Sequence, residues 1–155
     1  MIKVITKELI DLSVDGNEPN EVIKNMAKLI DATGRISDFE GYYQSVLERE
    51  ELTSTGIGFG IAIPHGKSEH VKECTIAFGR LKEPINWQSL DDTPVEMVFL
   101  LAVPKECAGD EHLKIIASLS RRLIHEDFRG LLKTTQNANV IVREITESLA
   151  GAIAC

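Results

Sequence analysis

The run GIGFGIAIPHG at 56–66 brings a glycine-alternating approach and a short apolar stretch to one histidine, His65. Imidazole titrates near neutrality, so a rigidly held ring is a ready nucleophile. Pro64 fixes the backbone just before it. The flanking glycines permit close backbone approach and leave amides free at a turn, Gly66 included. This spacing predicts a turn at Pro64-His65-Gly66 that presents an exposed ring; the plainer alternative is a turn residue without chemistry. A dinucleotide fingerprint is excluded. It needs G-x-G-x-x-G after a strand and before a helix, whereas here G-x-G-x-G precedes a strand. No G-x-x-x-x-G-K-[ST] loop occurs, so any phosphate handled here does not come from a bound nucleotide. His65, His70 and Cys74 match no common zinc spacing. No metal or cofactor is implied.

The elements that must hold His65 follow from periodicity. The segment 17–34 reads as a helix, with Val22, Ile23, Met26, Leu29 and Ile30 on one face and Gly34 at its end. A second helix is predicted over 37–52, opened by a capping box between Ser37 and Glu40, with Gly41 a weak point in its first turn. Ile61 to Ile63 reads as a short strand feeding the turn. Segments 74–81 and 95–104 are further strands. The second is continuously apolar and so is covered on both faces. A helix over 110–127 places Leu113, Ile116, Leu119 (or Ser120) and Leu123 on a face. A short helix at 128–136 and a last one from Asn137 or Asn139 complete the chain. The order predicts an α/β (α+β) fold: a small mixed sheet flanked by helices on both faces, in one domain over 1–155.

Composition narrows the function. The net charge is −7 with no basic run, which argues against nucleic acid and suits a basic protein partner. No apolar run nears the roughly 20 residues that span a bilayer, and the N-terminus lacks the apolar core of a signal peptide, so membrane insertion is not expected. Cys74, Cys107 and Cys155 are an odd set without C-x-x-C spacing, as expected of thiols in a reducing cytoplasm.

The run STGIGFGIAIPHG (54–66) resembles the active-site signature of the enzyme IIA domains of the fructose- and mannitol-type sugar phosphotransferase system. AIPHG is its specific part. LERE (47–50) lies upstream at the family's distance, and LLAVPKECAGDEHLKIIASLSRRL (100–123) is similar to the family's strand, loop and histidine-bearing helix. The likeness covers about residues 5–150. It implies a phosphoryl group accepted from the carrier HPr onto His65 and passed to a IIB domain, which works with a membrane IIC domain. It further implies Arg49 and His112 as active-site partners. Chemically these fit: transfer is mainly positioning and charge stabilisation, a guanidinium can fork onto two phosphoryl oxygens, and a ring N–H of His112 can donate to them. The plainer readings are an EREE surface ion pair for Arg49 and a solvent-facing first-turn residue for His112. His70 and His125 match nothing in that site and read as surface residues. IIB domains of this type carry phosphate on a cysteine in a separate fold, so no cysteine here is expected to do so, and the domain is expected to act in trans unless it is part of a longer chain. Ile57 and Phe59 are candidates for an apolar rim around His65, or for core packing. Two functions share this site: a relay in sugar uptake, with fructose favoured, and a nitrogen-type regulator that signals by binding proteins.

Overall fold

The computed structural model describes residues 3–106 and 111–150. A single 3-10 turn (Lys7–Leu9) leads into β1 (Ile10–Val14), followed by α1 (Pro19–Ala32) and α2 (Phe39–Leu52). The sheet continues with β2 (Gly56–Gly58), β3 (Ile61–Ala62), β4 (His65–Ser68), β5 (Thr75–Ile85) and β6 (Val95–Pro104). Three helices close the described chain: α3 (Glu111–Leu123), α4 (Glu126–Thr134) and α5 (Ala138–Ser148). The six strands form one mixed sheet ordered β1-β5-β6-β3-β2, with β4 also on β6.

The sheet has two covered faces. An added Cβ on Gly79 would meet Val14 and Met26, so Gly79 faces α1. Phe78 therefore faces the other way and packs edge-to-face on its partner Phe99, centroids 5.1 Å apart. Arg80 points to the same side as Phe78. There its guanidinium donates to the carbonyls of Leu132, Lys133 and Thr135, which the end of α4 leaves without intrahelical partners. Covered on both sides, β6 is buried at nine of its ten residues, as its continuous apolarity predicts.

The expected turn at 64–66 is instead the start of a strand. Ile61 pairs with Met97, Ala62 with Val98, and His65 to Ser68 with Leu101 to Pro104. The offset is constant, so 61–68 is one line alongside β6 with a break at Pro64. In a parallel ladder residue 64 would donate to Phe99; proline has no N–H, and the pairing is interrupted there. Its carbonyl still accepts from Leu101, at 3.0 Å.

Other expectations also shift. The capping box does not form: Asp38 is the N-cap, and the Ser37 hydroxyl donates to the His70 carbonyl instead. The strand at 74–81 runs on to Ile85. The helix over 110–127 stops at Leu123, and α4 begins at Glu126. Leu113 is 52% exposed; α3 buries Ile115, Leu119 and Leu123. The short strands β1 and β2 were not anticipated.

Candidate phosphoryl-transfer site

Helix α2 seats directly on β4. A Cβ on Gly66 would collide with Ser45 Oγ and lie 2.8 Å from Val46 Cγ2 and 3.1 Å from Tyr42 Cε1. One turn earlier, a Cβ on Gly41 would collide with the His70 ring. Glycine in the helix and glycine in the strand thus let the two elements touch. Tyr42 locks the seam by donating its buried hydroxyl to the Leu101 carbonyl at 2.8 Å. Burial pushes its phenol well above the usual value, so it remains a donor. Gly66 lies inside a paired strand. It serves helix packing, not a phosphate-binding turn, contrary to the expectation drawn from its sequence.

Gly66 faces α2, so strand alternation turns the neighbouring His65 to the opposite face, the side of Phe99 and Arg80. His65 is not the exposed ring that the sequence suggested: it is 8% exposed. Its Nδ1 lies 3.1 Å from the Ile63 carbonyl. A carbonyl only accepts, so Nδ1 carries the proton, and in the neutral ring the lone pair is on Nε2.

Arg49 sits in the last turn of α2, one turn beyond Ser45 and Val46. Its guanidinium donates to the Thr53 carbonyl at 2.9 Å. The plainer alternative for Arg49, a surface ion pair with a neighbouring glutamate, is absent among the described residues. The next residue, Glu50, accepts from both the backbone N–H (2.8 Å) and the hydroxyl of Thr55. Thr55 in turn accepts from the Ile63 N–H at 3.0 Å. Arg49 and His65 thus belong to different layers, Arg49 to α2 and His65 to the sheet face turned away from it. His112 belongs to the first turn of α3, which starts seven residues after β6 ends, 104 to 111; its side chain lies outside the described residues. So do Cys107 and Cys155.

The glycine-rich approach has its own explanation. Gly58, Phe59 and Gly60 have φ of 97°, 61° and 77°, the left-handed region that a tight reversal between β2 and β3 demands. Asp91 caps the reversal through the Phe59 N–H at 3.0 Å. Phe59 therefore lies beyond the far end of β3, and the extended chain from Ile61 to His65 alone spans roughly 13 Å at ~3.3 Å per residue. It stacks on Arg129, 4.4 Å from guanidinium carbon to centroid, and forms no rim around the imidazole. His125 is exposed, as expected, at the N-cap of α4. His70 is only half-buried against Gly41, 3.9 Å from the Asp38 and Glu69 carboxylates.

Residues 3–148 match the family model described as "Phosphoenolpyruvate-dependent sugar phosphotransferase system, EIIA 2". The chain belongs to this family. It is 36% identical over 143 residues to a fructose-specific EIIA component of Haloferax volcanii, covering 90% of this chain and 92% of that protein. It is 37% identical over 145 residues to a fructose-specific EIIABC component of Bacillus subtilis, covering 94% of this chain but only 23% of that longer protein. Among solved structures, the nitrogen regulatory protein IIA-Ntr of Neisseria meningitidis superposes with a TM-score of 0.84 at 29% identity, covering 92% of this chain and 97% of that one. The Escherichia coli mannitol IIA in complex with phosphorylated IIB gives 0.76 at 27% identity, covering 97% and 99%. The expected architecture, a mixed sheet with helices on both faces, is therefore the family's. Among the described residues no helix is long and apolar enough to cross a membrane.

Proposed function

We propose that this EIIA domain is a histidine phosphocarrier: His65 Nε2 takes a phosphoryl group from phospho-HPr and hands it to a IIB domain, in the cytoplasm. The observation that carries this reading is the Nδ1–H bond to the Ile63 carbonyl. With the proton held on Nδ1, the Nε2 lone pair forms the new N–P bond while the donor's N–P bond breaks and its electron pair returns to the donor ring. The accepting ring becomes cationic as the bond forms. Its Nδ1–H stays on the Ile63 carbonyl, a hydrogen bond from a charged donor worth about 1.5–3 kcal/mol. The bound phosphoryl group remains on an imidazolium, a good leaving group. Onward transfer to IIB returns the neutral ring with its proton still on Nδ1.

Arg49 supplies the charge for the phosphoryl oxygens, exchanging the Thr53 carbonyl for them. His112 donates a ring N–H from the start of α3. Likeness to a free-standing fructose-specific component along nearly its whole length favours the uptake role, with a fructose-type permease as destination. The close superposition on a nitrogen regulatory IIA favours the second role, signalling by binding proteins according to phosphorylation state.

Incubation with phosphoenolpyruvate, enzyme I and HPr should add one acid-labile phosphoryl group to the protein, and none to His65→Ala. No mass gain, or peptide mapping that puts the group on His112, refutes the assignment. Onward transfer to a fructose-type IIB separates uptake from signalling.

A further inference from the structure

We infer that Glu50 is a positioning residue for His65, setting which ring nitrogen carries the proton through Thr55 and Ile63. This inference rests on the phosphocarrier reading for its consequence, but not for its geometry. The Glu50 carboxylate holds Thr55 at two points, the backbone N–H and the hydroxyl. Thr55 is 5% exposed, and its carbonyl accepts from the Ile63 N–H at 3.0 Å. The Ile63 carbonyl then receives Nδ1–H of His65 at 3.1 Å. Three short links therefore join a carboxylate at the end of α2 to the imidazole on the far face of the sheet.

The segment needs such a tie. Pro64 turns its carbonyl to β6, where it accepts from Leu101, so the neighbouring Ile63 turns its N–H and carbonyl away from β6 and takes no support from that ladder. On the edge that Ile63 does face, the Thr55 carbonyl accepts its N–H, and Glu50 fixes Thr55. If the Ile63 carbonyl tilts away, Nδ1–H loses the acceptor that holds the proton there. An Nε2–H tautomer then places a proton where the lone pair must attack. Glu50 touches neither phosphoryl group nor ring; it acts on the tautomer.

The test reads the tautomer directly. In 15N-histidine-labelled protein, long-range 1H–15N correlation should show His65 as one species protonated at Nδ1. Glu50→Ala should give a mixture with the Nε2–H form and slow phosphorylation by phospho-HPr about 10-fold. Glu50→Gln keeps an oxygen acceptor for the Thr55 N–H, so it should restore the Nδ1–H species and bring the rate within about 3-fold of the parent. Thr55→Val removes only the hydroxyl link and should give an intermediate mixture; it serves in place of Glu50→Ala if that variant does not fold. An unchanged tautomer in whichever of these two variants is folded overturns the inference. A tautomer that shifts as described in a protein that takes no phosphoryl group upholds the positioning chain and refutes the phosphocarrier reading instead.

Discussion

Gly66→Ala tests how the site is held. The backbone at 66 is not in the left-handed region, so the cost of a side chain there comes from contact alone. The new methyl carbon would collide with Ser45 Oγ and sit 2.8 Å from Val46 Cγ2 and 3.1 Å from Tyr42 Cε1. Ser45 can rotate away, but its hydroxyl donates to the Tyr42 carbonyl at 2.6 Å, and losing that bond costs about 1 kcal/mol. Val46 and Tyr42 are fully buried, and the Tyr42 ring is pinned through Leu101, so neither yields without moving α2. Overpacking of this kind costs about 1–3 kcal/mol. The sum is about 2–4 kcal/mol, or roughly 5–15 °C in Tm for a domain of this size. Urea and thermal unfolding followed by circular dichroism measure it. Adding Ser45→Ala to Gly66→Ala should recover part of the loss, because the nearest clash is removed. A Gly66→Ala protein within about 0.5 kcal/mol of the parent would mean that α2 does not seat on β4 as described.

Arg49→Ala should slow phosphoryl transfer more than it weakens HPr binding, because the guanidinium acts on charge that develops in the transition state; about 2–4 kcal/mol, or roughly 30- to 1,000-fold, is expected in single-turnover kinetics, and a parent-like rate would reduce it to a cap on the Thr53 carbonyl. His112→Ala should still be phosphorylated on His65 but on the order of 10- to 100-fold more slowly, with His112→Gln recovering activity if the role is hydrogen donation; transfer at the parent rate in both directions would make His112 a bystander. Tyr42→Phe should cost about 1 kcal/mol at neutral pH by removing the hydroxyl's hydrogen bond to the Leu101 carbonyl. Burial raises the Tyr42 pKa in the folded state, so its stabilising contribution is complete below the unfolded value near ~10 and declines as pH rises above it. Denaturant midpoints between pH 8 and 11 should therefore fall for the parent more steeply than for Tyr42→Phe.

Much of the scaffold was legible from periodicity. The apolar run at 95–104 gave a strand with the observed bounds, and the amphipathic pattern at 17–34 gave α1. Pro64 and Gly66 misled because their usual meaning is a turn. Here the proline merely interrupts a parallel ladder at the one residue that would donate to Phe99, and the glycine makes room for a helix distant in sequence. Nothing local in the sequence distinguishes a glycine needed for φ from one needed for contact. The exposure of His65 was misjudged for the same reason, since a strand position beside β6 buries what a turn would present. Leu113 shows the limit of helical periodicity: its spacing with Ile116 and Ser120 is as regular as that of the buried set Ile115, Leu119 and Leu123. The short β1 carries an alternating apolar pattern at Ile10, Leu12 and Val14 that a period-2 reading finds. The Glu50–Thr55–Ile63 chain has no sequence signal, because two of its three links run through backbone carbonyls.

The central claim is that His65 attacks through Nε2 because Nδ1 is committed to the Ile63 carbonyl. The direct measurement is the attachment point of the phosphoryl group. Protein labelled with 15N-histidine, phosphorylated by phosphoenolpyruvate, enzyme I and HPr, and examined by 31P and 15N NMR should show a single phosphohistidine bonded at Nε2 of His65, with Nδ1 still protonated at neutral pH. A phosphoryl group on Nδ1 of His65, or on any other residue, would contradict the account.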